Sequence, residues 1–299
     1  MSANDSNDVP RWFARPAHID SPGPSVPVQV EFGAHSDRGP RQPQNDDHYL
    51  IMRTGRHAET LMSNLPPEEL PPRFDEFAYG MVVADGLGRA GGVASRLAIT
   101  TLANLGVYFG KWNVRIDEAT AEDVMNRAEL FYRDIDSALV QASKYRPTGL
   151  QTTLTAVYTA GDELFFAHVG HSRAYLFRRN ELLQLTRDHT LANGRPLDAT
   201  TRDALVGARD RHHPLTEAIG RAGASGPRID IERCGLLDGD LVLLCTNGLS
   251  DVVDDARIAT VLRSGHPPND LCRELVQLAL SSGGDDDVTA IIGAYTITG

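Results

Sequence analysis

The stretch Met81-Val82-Val83-Ala84-Asp85-Gly86 decides the fold class of this 299-residue chain. Its four consecutive apolar residues predict a strand that is buried on both faces, and the Asp-Gly pair predicts a turn at its end. Such a strand holds a carboxylate, that of Asp85, in a fixed position beside the turn. Asp85 is therefore the first candidate functional residue.

Two long helices are predicted directly after this strand. Residues spaced by four, all but one of them apolar, indicate an amphipathic helix; they are Val93, Leu97, Thr101, Leu105 and Phe109. A second apolar stripe predicts a helix over 121–143, and the acidic residues at its start are typical of a helix N-terminus.

The remaining elements are short strands and helices. Strands are predicted at 28–32, 49–52, 152–158, 163–168, 173–177, 241–245 and 289–295, and helices at 255–263 and 268–281. Short turns separate the runs 152–158, 163–168 and 173–177, so we expect three successive antiparallel strands there. This order of elements favours an α+β layered domain over a regular parallel βαβ series.

Three segments are expected to lie outside this framework. Residues 1–27 are rich in proline and predict a flexible tail that precedes a single folded domain over 28–299. Four prolines make 53–76 a predicted surface loop. The polar stretch 188–227 predicts a flap with a short helix near 199–206.

Composition narrows the possible functions. The 29 basic and 40 acidic residues give a formal net charge of −11, which argues against duplex DNA or an anionic membrane as partner because both need a basic face. Three cysteines without a Cys-x-x-Cys pair argue against a disulfide scaffold and a zinc knuckle. The sequence shows no signal peptide and no long apolar run, so a soluble cytoplasmic protein is expected.

At three places a short apolar strand or a turn ends in Asp, Asn or Gly: Asn45-Asp46-Asp47, Asp85-Gly86 and Gly284-Asp285-Asp286-Asp287. Magnesium and manganese prefer oxygen ligands and often bind only a few carboxylates together with water. The acidic residues of these three motifs are therefore candidates for one shared metal site. Taken singly, each is more often a plain turn than a metal ligand, since Asp, Asn and Gly favour turn geometry.

Taken in order, the motifs resemble those of the metal-dependent serine/threonine protein phosphatases of the 2C type. The resemblance covers about 30–296 and rests on Ser36-Asp37-Arg38-Gly39, Asn45-Asp46-Asp47, Val83-Ala84-Asp85-Gly86-Leu87-Gly88, Gly91-Gly92-Val93-Ala94-Ser95, Gln151-Thr152-Thr153-Leu154, Gly170-His171-Ser172-Arg173, Leu185-Thr186-Arg187-Asp188-His189, Thr246-Asn247-Gly248 and Gly284-Asp285-Asp286-Asp287. It implies a catalytic domain at 28–299, built as a four-layer sandwich of two central antiparallel sheets flanked by pairs of helices.

The resemblance also implies two Mg²⁺ or Mn²⁺ ions. Asp85 would bridge them, and the carbonyl of Gly86 would hold one. Asp47 and Asp286 would hold the other, with Asp46 reaching it through water. A metal-activated water would then hydrolyse phosphoserine or phosphothreonine in proteins without a phosphoenzyme, which fits a slow, anionic substrate.

Two departures from the family pattern concern the metals. Asn247 replaces an expected metal-binding Asp; it either tolerates the turn or marks a retuned, weaker second site, since an amide oxygen brings no charge. His171 replaces the Asp associated with a third ion, so that ion is either lost or changed in preference.

Other departures concern the substrate. Gln42 occupies the place of the phosphate-binding Arg, and Arg41, one position earlier, is the candidate to replace it. Leu87 leaves no general acid at the position where some members have His. Cys245 is interpreted as a core residue, not a nucleophile, and His189 and His213 are interpreted as exposed loop residues.

The leading hypothesis is therefore a monomeric serine/threonine protein phosphatase that reverses the action of a serine/threonine kinase. The alternative is a phosphatase-like regulatory or binding module that is catalytically weakened or inactive. A stress-signalling phosphatase that acts on an anti-sigma-factor antagonist shares the same chemistry and stays open.

Overall fold

The computed structural model describes residues 28–70, 73–111, 116–146, 149–191, 215–221 and 226–298. Its strands are β1 Val28–Asp37, β2 Asp47–Ala58, β3 Phe74–Leu87, β4 Gln151–Thr152, β5 Leu154–Ala160, β6 Glu163–Val169, β7 Arg173–Arg178, β8 Glu181–Gln184, β9 Asp230–Gly235, β10 Leu241–Cys245 and β11 Val288–Ile297. Its helices are α1 Gly91–Phe109, α2 Glu118–Ser143, α3 Asn247–Ser250, α4 Asp255–Leu262 and α5 Pro268–Ser281.

The strands form two antiparallel sheets. One has the order β1-β11-β10-β7-β8, and the other has the order β2-β3-β5-β6-β9, with β4 added to the end of β3. Helices α1 and α2 cover the second sheet, whereas α3, α4 and α5 cover the first. The predicted α+β four-layer sandwich is confirmed.

Strand β3 supplies side chains to two apolar layers. Met81 and Val83 are buried between the sheets, where they pack with Leu244 of β10. Val82 and Ala84 point the opposite way and pack under α1 and α2. This alternation is the period of a strand buried on both faces, as the sequence predicts.

Helix α1 is confirmed, but its buried stripe is offset from the predicted one. The fully buried positions include the small residues Ala94, Ser95 and Ala98, because α1 lies close to β3. Val93 is only partly buried and Phe109 is 64% exposed. The spacing of apolar residues by four predicts the helix correctly. The size of the side chains determines which face of the helix packs against the sheet.

Two predictions about the strands need correction. The predicted loop 53–76 is shorter than expected: 53–58 and 74–76 are strand, because β2 and β3 continue as a paired ribbon as far as the pair Ala58↔Phe74. Its polar residues lie at the solvent-exposed end of that ribbon. The run 173–177 does not pair with 163–168; it crosses to the other sheet and pairs with β10, and Gly170 makes the turn with a φ of 116°.

Strands β8 and β9 were not predicted, because their alternation is weak and polar. The predicted helix near 199–206, the tail 1–27 and His213 lie outside the described residues. Cys245 is buried in the core as predicted, and all three cysteines are free thiols. None of the helices that the structure describes is long and apolar enough to cross a membrane.

The start of α1 is packed against the end of β3. A Cβ on Gly91 would lie 2.2 Å from the carbonyl oxygen of Gly86, and a Cβ on Gly92 would lie 2.5 Å from a carboxylate oxygen of Asp46. Only glycine permits this approach. The helix thereby fixes the backbone on both sides of the candidate site.

Replacing Gly91 by alanine should therefore destabilise the protein by about 1–3 kcal/mol, because backbone atoms must move to relieve the overlap. Gly106→Ala, in the same helix, is the matched control, since a Cβ there meets no atom within 4 Å. It should be neutral or stabilise by up to about 1 kcal/mol. Urea unfolding measures both changes, and equal effects would contradict the close approach.

Candidate metal centre

Asp47 and Asp85 face each other on adjacent strands. Asp47 opens β2 and is directly opposite Asp85 of β3 in the antiparallel register. Their side chains are 6% and 9% exposed. Like charges at such a cross-strand position repel one another, and a cation between them would reduce this repulsion.

Hydrogen bonds fix the carboxylate of Asp47. Its Oδ2 accepts hydrogen bonds of 2.8 Å from the hydroxyls of Thr246 and Thr289. Its Oδ1 is buried and has no hydrogen-bond partner. Because a buried carboxylate oxygen without a partner is costly, this atom is suited to bind a cation.

The pKa values of both carboxyls are raised. Burial is the main cause for Asp47 and raises its pKa from 3.8 to about 7, with repulsion from Asp287 and Asp286 added and the two threonine hydrogen bonds opposing. Burial likewise raises the pKa of Asp85, and Asp47 is the next largest cause. Both carboxyls therefore resist ionisation unless a positive charge lies beside them.

Asn247 and Asp286 lie together beside this pair. The amide of Asn247 is 3.5 Å from Asp286 Oδ2 and 3.4 Å from Asp251 Oδ2. Asn247 is 3% exposed, and its Oδ1 is buried without a hydrogen-bond partner. The residue that replaces the expected Asp thus still presents an oxygen with no other use in the structure.

Asp46 and Gly86, the other two predicted ligands, lie against α1. The carboxylate of Asp46 accepts a hydrogen bond of 2.7 Å from the Gln44 amide and lies beside Gly92. The positive end of the α1 dipole favours a carboxylate at this position. The carbonyl of Gly86 faces Gly91.

Asp287 was missed as a functional residue by the sequence analysis. Its Oδ1 accepts from the backbone N–H of Gly39 at 2.9 Å, and its Oδ2 accepts from that of Asp46 at 2.7 Å. It therefore ties the β1–β2 connection to the start of β11. Its position in the acidic triplet was the available signal, but spacing does not reveal backbone partners.

His189 corrects another prediction. It is 2% exposed, not an exposed loop residue. Its Nδ1 pairs with the N–H of Gly170, and its Nε2 lies 3.0 Å from Asp230. The turn that it supports leads to Ser172, whose hydroxyl is 2.8 Å from that of Thr153, and Thr153 in turn accepts a hydrogen bond from the N–H of Asp85.

The candidate phosphate contacts lie at the rim. Gln42 donates a hydrogen bond of 2.9 Å to Asp286 Oδ1. Arg41 is 81% exposed and forms a salt bridge of 2.9 Å with Asp285. Gln42 therefore orients a carboxylate, while the guanidinium beside it stays accessible to solvent.

The donor set fits hard divalent cations. Among the described residues, no three acidic, histidine or cysteine side chains form a ready cage for one ion. Magnesium does not need such a cage, because one or two carboxylates, an amide or carbonyl oxygen and several waters complete its octahedron. The buried, unpartnered oxygens of Asp47 and Asn247 supply donors of that kind.

Comparison with known proteins agrees with this geometry. The family model described as protein phosphatase 2C matches residues 73–279. The serine/threonine protein phosphatase PstP of Mycobacterium tuberculosis is 33% identical over 219 residues, which are 71% of this chain and 39% of PstP. Protein phosphatase PhpP of Streptococcus pneumoniae is 30% identical over 71% of this chain and 84% of its own length.

Solved structures give the same result. The catalytic domain of PstP in complex with two manganese ions is 27% identical, with a TM-score of 0.64 over 90% of this chain and 100% of that one. The chain thus spans the whole catalytic domain but less than half of full-length PstP.

Metal-free protein should become less stable as the pH rises from 3.8 to about 7, because the folded state holds its proton on Asp47 more tightly than the unfolded state does. Asp85→Asn removes one of the two facing charges. At pH 8 with chelator this variant should melt at least about 3 °C above the parent protein.

With manganese the order should reverse, since the parent protein gains metal binding energy that the variant lacks. Asp134→Asn, an exposed change on α2, should leave both melting temperatures within about 1 °C. An Asp85→Asn variant that is less stable than the parent in chelator would contradict the stored repulsion.

Proposed function

The chain belongs to the protein phosphatase 2C family, and we propose that it is a magnesium- or manganese-dependent phosphatase that hydrolyses phosphoserine and phosphothreonine in proteins. The observation that carries this proposal is the buried, facing pair Asp47 and Asp85, with Oδ1 of Asp47 left without a partner. Bound cations would compensate the two charges and remove the repulsion between them.

Six residues would hold two ions, with Asp85 a ligand of both: Asp46, Asp47, Asp85, Gly86 through its carbonyl, Asn247 and Asp286. Bound divalent ions supply charge neutralisation for the phosphate and lower the pKa of water to the neutral range. No side-chain nucleophile is needed, and the buried thiol of Cys245, whose pKa burial raises to about 12, is unsuited to be one.

The chain's own residues keep the carboxylates in place. Thr246 and Thr289 hold one oxygen of Asp47 and leave the other available. Gln42 holds Oδ1 of Asp286 in the same manner. Such partners orient ligands and reduce the reorganisation that metal binding requires.

Arg41 is the proposed phosphate contact. A guanidinium has five N–H donors, and its salt bridge with Asp285 leaves others for a phosphate. Gln42 cannot take this role while it donates to Asp286. Leu87 has no ionisable group, so the leaving serine or threonine alkoxide would take its proton from solvent in the site.

The alternative of an inactive regulatory module has less support. The relatives named above are protein phosphatases, and Asp47, Asp85 and Asp286 are all retained. Reversal of a serine/threonine kinase, action as a monomer and a cytoplasmic location complete the proposal. A stress-signalling substrate would use the same site.

Hydrolysis of a phosphothreonine peptide tests the function. Manganese should support turnover, chelator should abolish it, and Asp85→Asn should lower kcat/KM at least about 100-fold, because one shared carboxylate serves both ions. Asp134→Asn is the matched control and should keep full activity. Turnover that is indifferent to chelator, or to Asp85→Asn, would refute metal-dependent hydrolysis.

Asn247→Asp tests the retuned second site. The substitution restores a negative charge beside Asp286, so half-maximal activity should need about tenfold less manganese. Free-manganese titrations of activity and of melting temperature should shift together. An unchanged manganese requirement in both titrations would show that Asn247 is not a metal ligand.

A further inference from the structure

A cavity of about 210 Å³ lies between α1, α2 and the outer face of the β2-β3-β5-β6-β9 sheet. Its walls are almost entirely apolar. They include Leu50, Met52, Val82, Leu102, Met125 and Phe131. None of these residues belongs to the metal centre.

The cavity and the metal centre lie at opposite parts of α1. Asp46 contacts the helix at Gly92, whereas the cavity is lined by Leu102 and Gly106. Fourteen residues separate Gly92 from Gly106, which is about 21 Å along a helix. A molecule in the cavity would therefore not touch the reacting groups.

Glycines on two opposing walls keep this space open. A Cβ added to Gly106 of α1 would meet no atom within 4 Å, and one added to Gly80 of β3 would meet only the carbonyl of Val157 at 3.8 Å. The volume exceeds the roughly 150 Å³ of an engineered apolar cavity that binds benzene. The space therefore accommodates a short alkyl chain.

The rim of the cavity is positively charged. Lys111 and Arg127 line it, and no acidic side chain does so among the lining residues that the structure describes. Both cations share a single carboxylate, that of Asp123, at 2.9 and 3.0 Å. Two positive charges against one negative charge leave a net charge of about +1 beside an apolar interior.

We propose that this cavity binds a medium-chain aliphatic carboxylate, with its alkyl chain between α1 and the sheet and its carboxylate at Lys111 and Arg127. Apolar walls favour the chain because its burial removes hydrocarbon from water. The surplus positive charge favours an anionic over a neutral head group. The site is independent of the proposed phosphatase reaction.

Isothermal titration of the full chain with octanoate, in chelator, tests this site. Octanoate should bind with a stoichiometry of one. Octanol, which has the same chain length without the charge, should bind about fivefold more weakly, the size of one partly exposed charge interaction. Lys111→Met leaves Arg127 neutralised by Asp123 and should reduce octanoate to the affinity of octanol.

Two filling variants locate the binding. Gly80→Leu fills the cavity from the sheet and Gly106→Leu fills it from the helix, so each should weaken octanoate at least tenfold. Gly235→Leu is the matched control: this strand glycine has open space around it but does not line the cavity. It should bind octanoate like the parent chain. Circular dichroism confirms that each variant is folded.

Three results would overturn the site: no octanoate binding to the full chain, binding that survives both filling variants, or equal affinities for octanoate and octanol. Octanoate should bind Asp85→Asn as tightly as the parent chain. Failure of the phosphatase assay would therefore leave octanoate binding unchanged, and absence of octanoate binding would leave the phosphatase assay unchanged.

Discussion

The structure depends on one electrostatic constraint, the burial of two carboxylates opposite each other on neighbouring strands. The long β2–β3 ribbon stays in register from Asp47↔Asp85 to its far end, so the backbone holds the two residues opposite each other. Burial raises the pKa of both carboxyls. The sandwich core carries the stability that allows this locally unfavourable arrangement, as functional sites often require.

Both sheets are needed to build the centre. Asp47 and Asp85 come from one sheet, while Thr246, at the end of β10, and Thr289, in β11, come from the other and bind the same oxygen of Asp47. Asp287 ties the loop before β2 to the start of β11. The candidate metal centre therefore lies where the two sheets meet, and its geometry depends on the packing between them.

The sequence predicted the parts of the fold that local pattern determines. The apolar run ending at Asp85 is a buried strand, and periodicity located α1. Both predictions succeeded because burial on one or two faces determines the spacing of apolar residues in the sequence. The crossing of β7 to the other sheet does not change the spacing of apolar residues, so the sequence did not reveal it. Ordered motifs predicted which carboxylates converge, but the roles of Asp287 and His189 depend on backbone partners that no spacing encodes.

Anomalous diffraction from a manganese-soaked crystal tests the central claim most directly. Two manganese peaks should flank Asp85, one of them bound by Oδ1 of Asp47, the oxygen that has no protein partner. The Oδ1 of Asn247 should lie on the weaker peak. Absence of manganese from the Asp47–Asp85 pair would contradict the account, because the buried charges would then have no compensation.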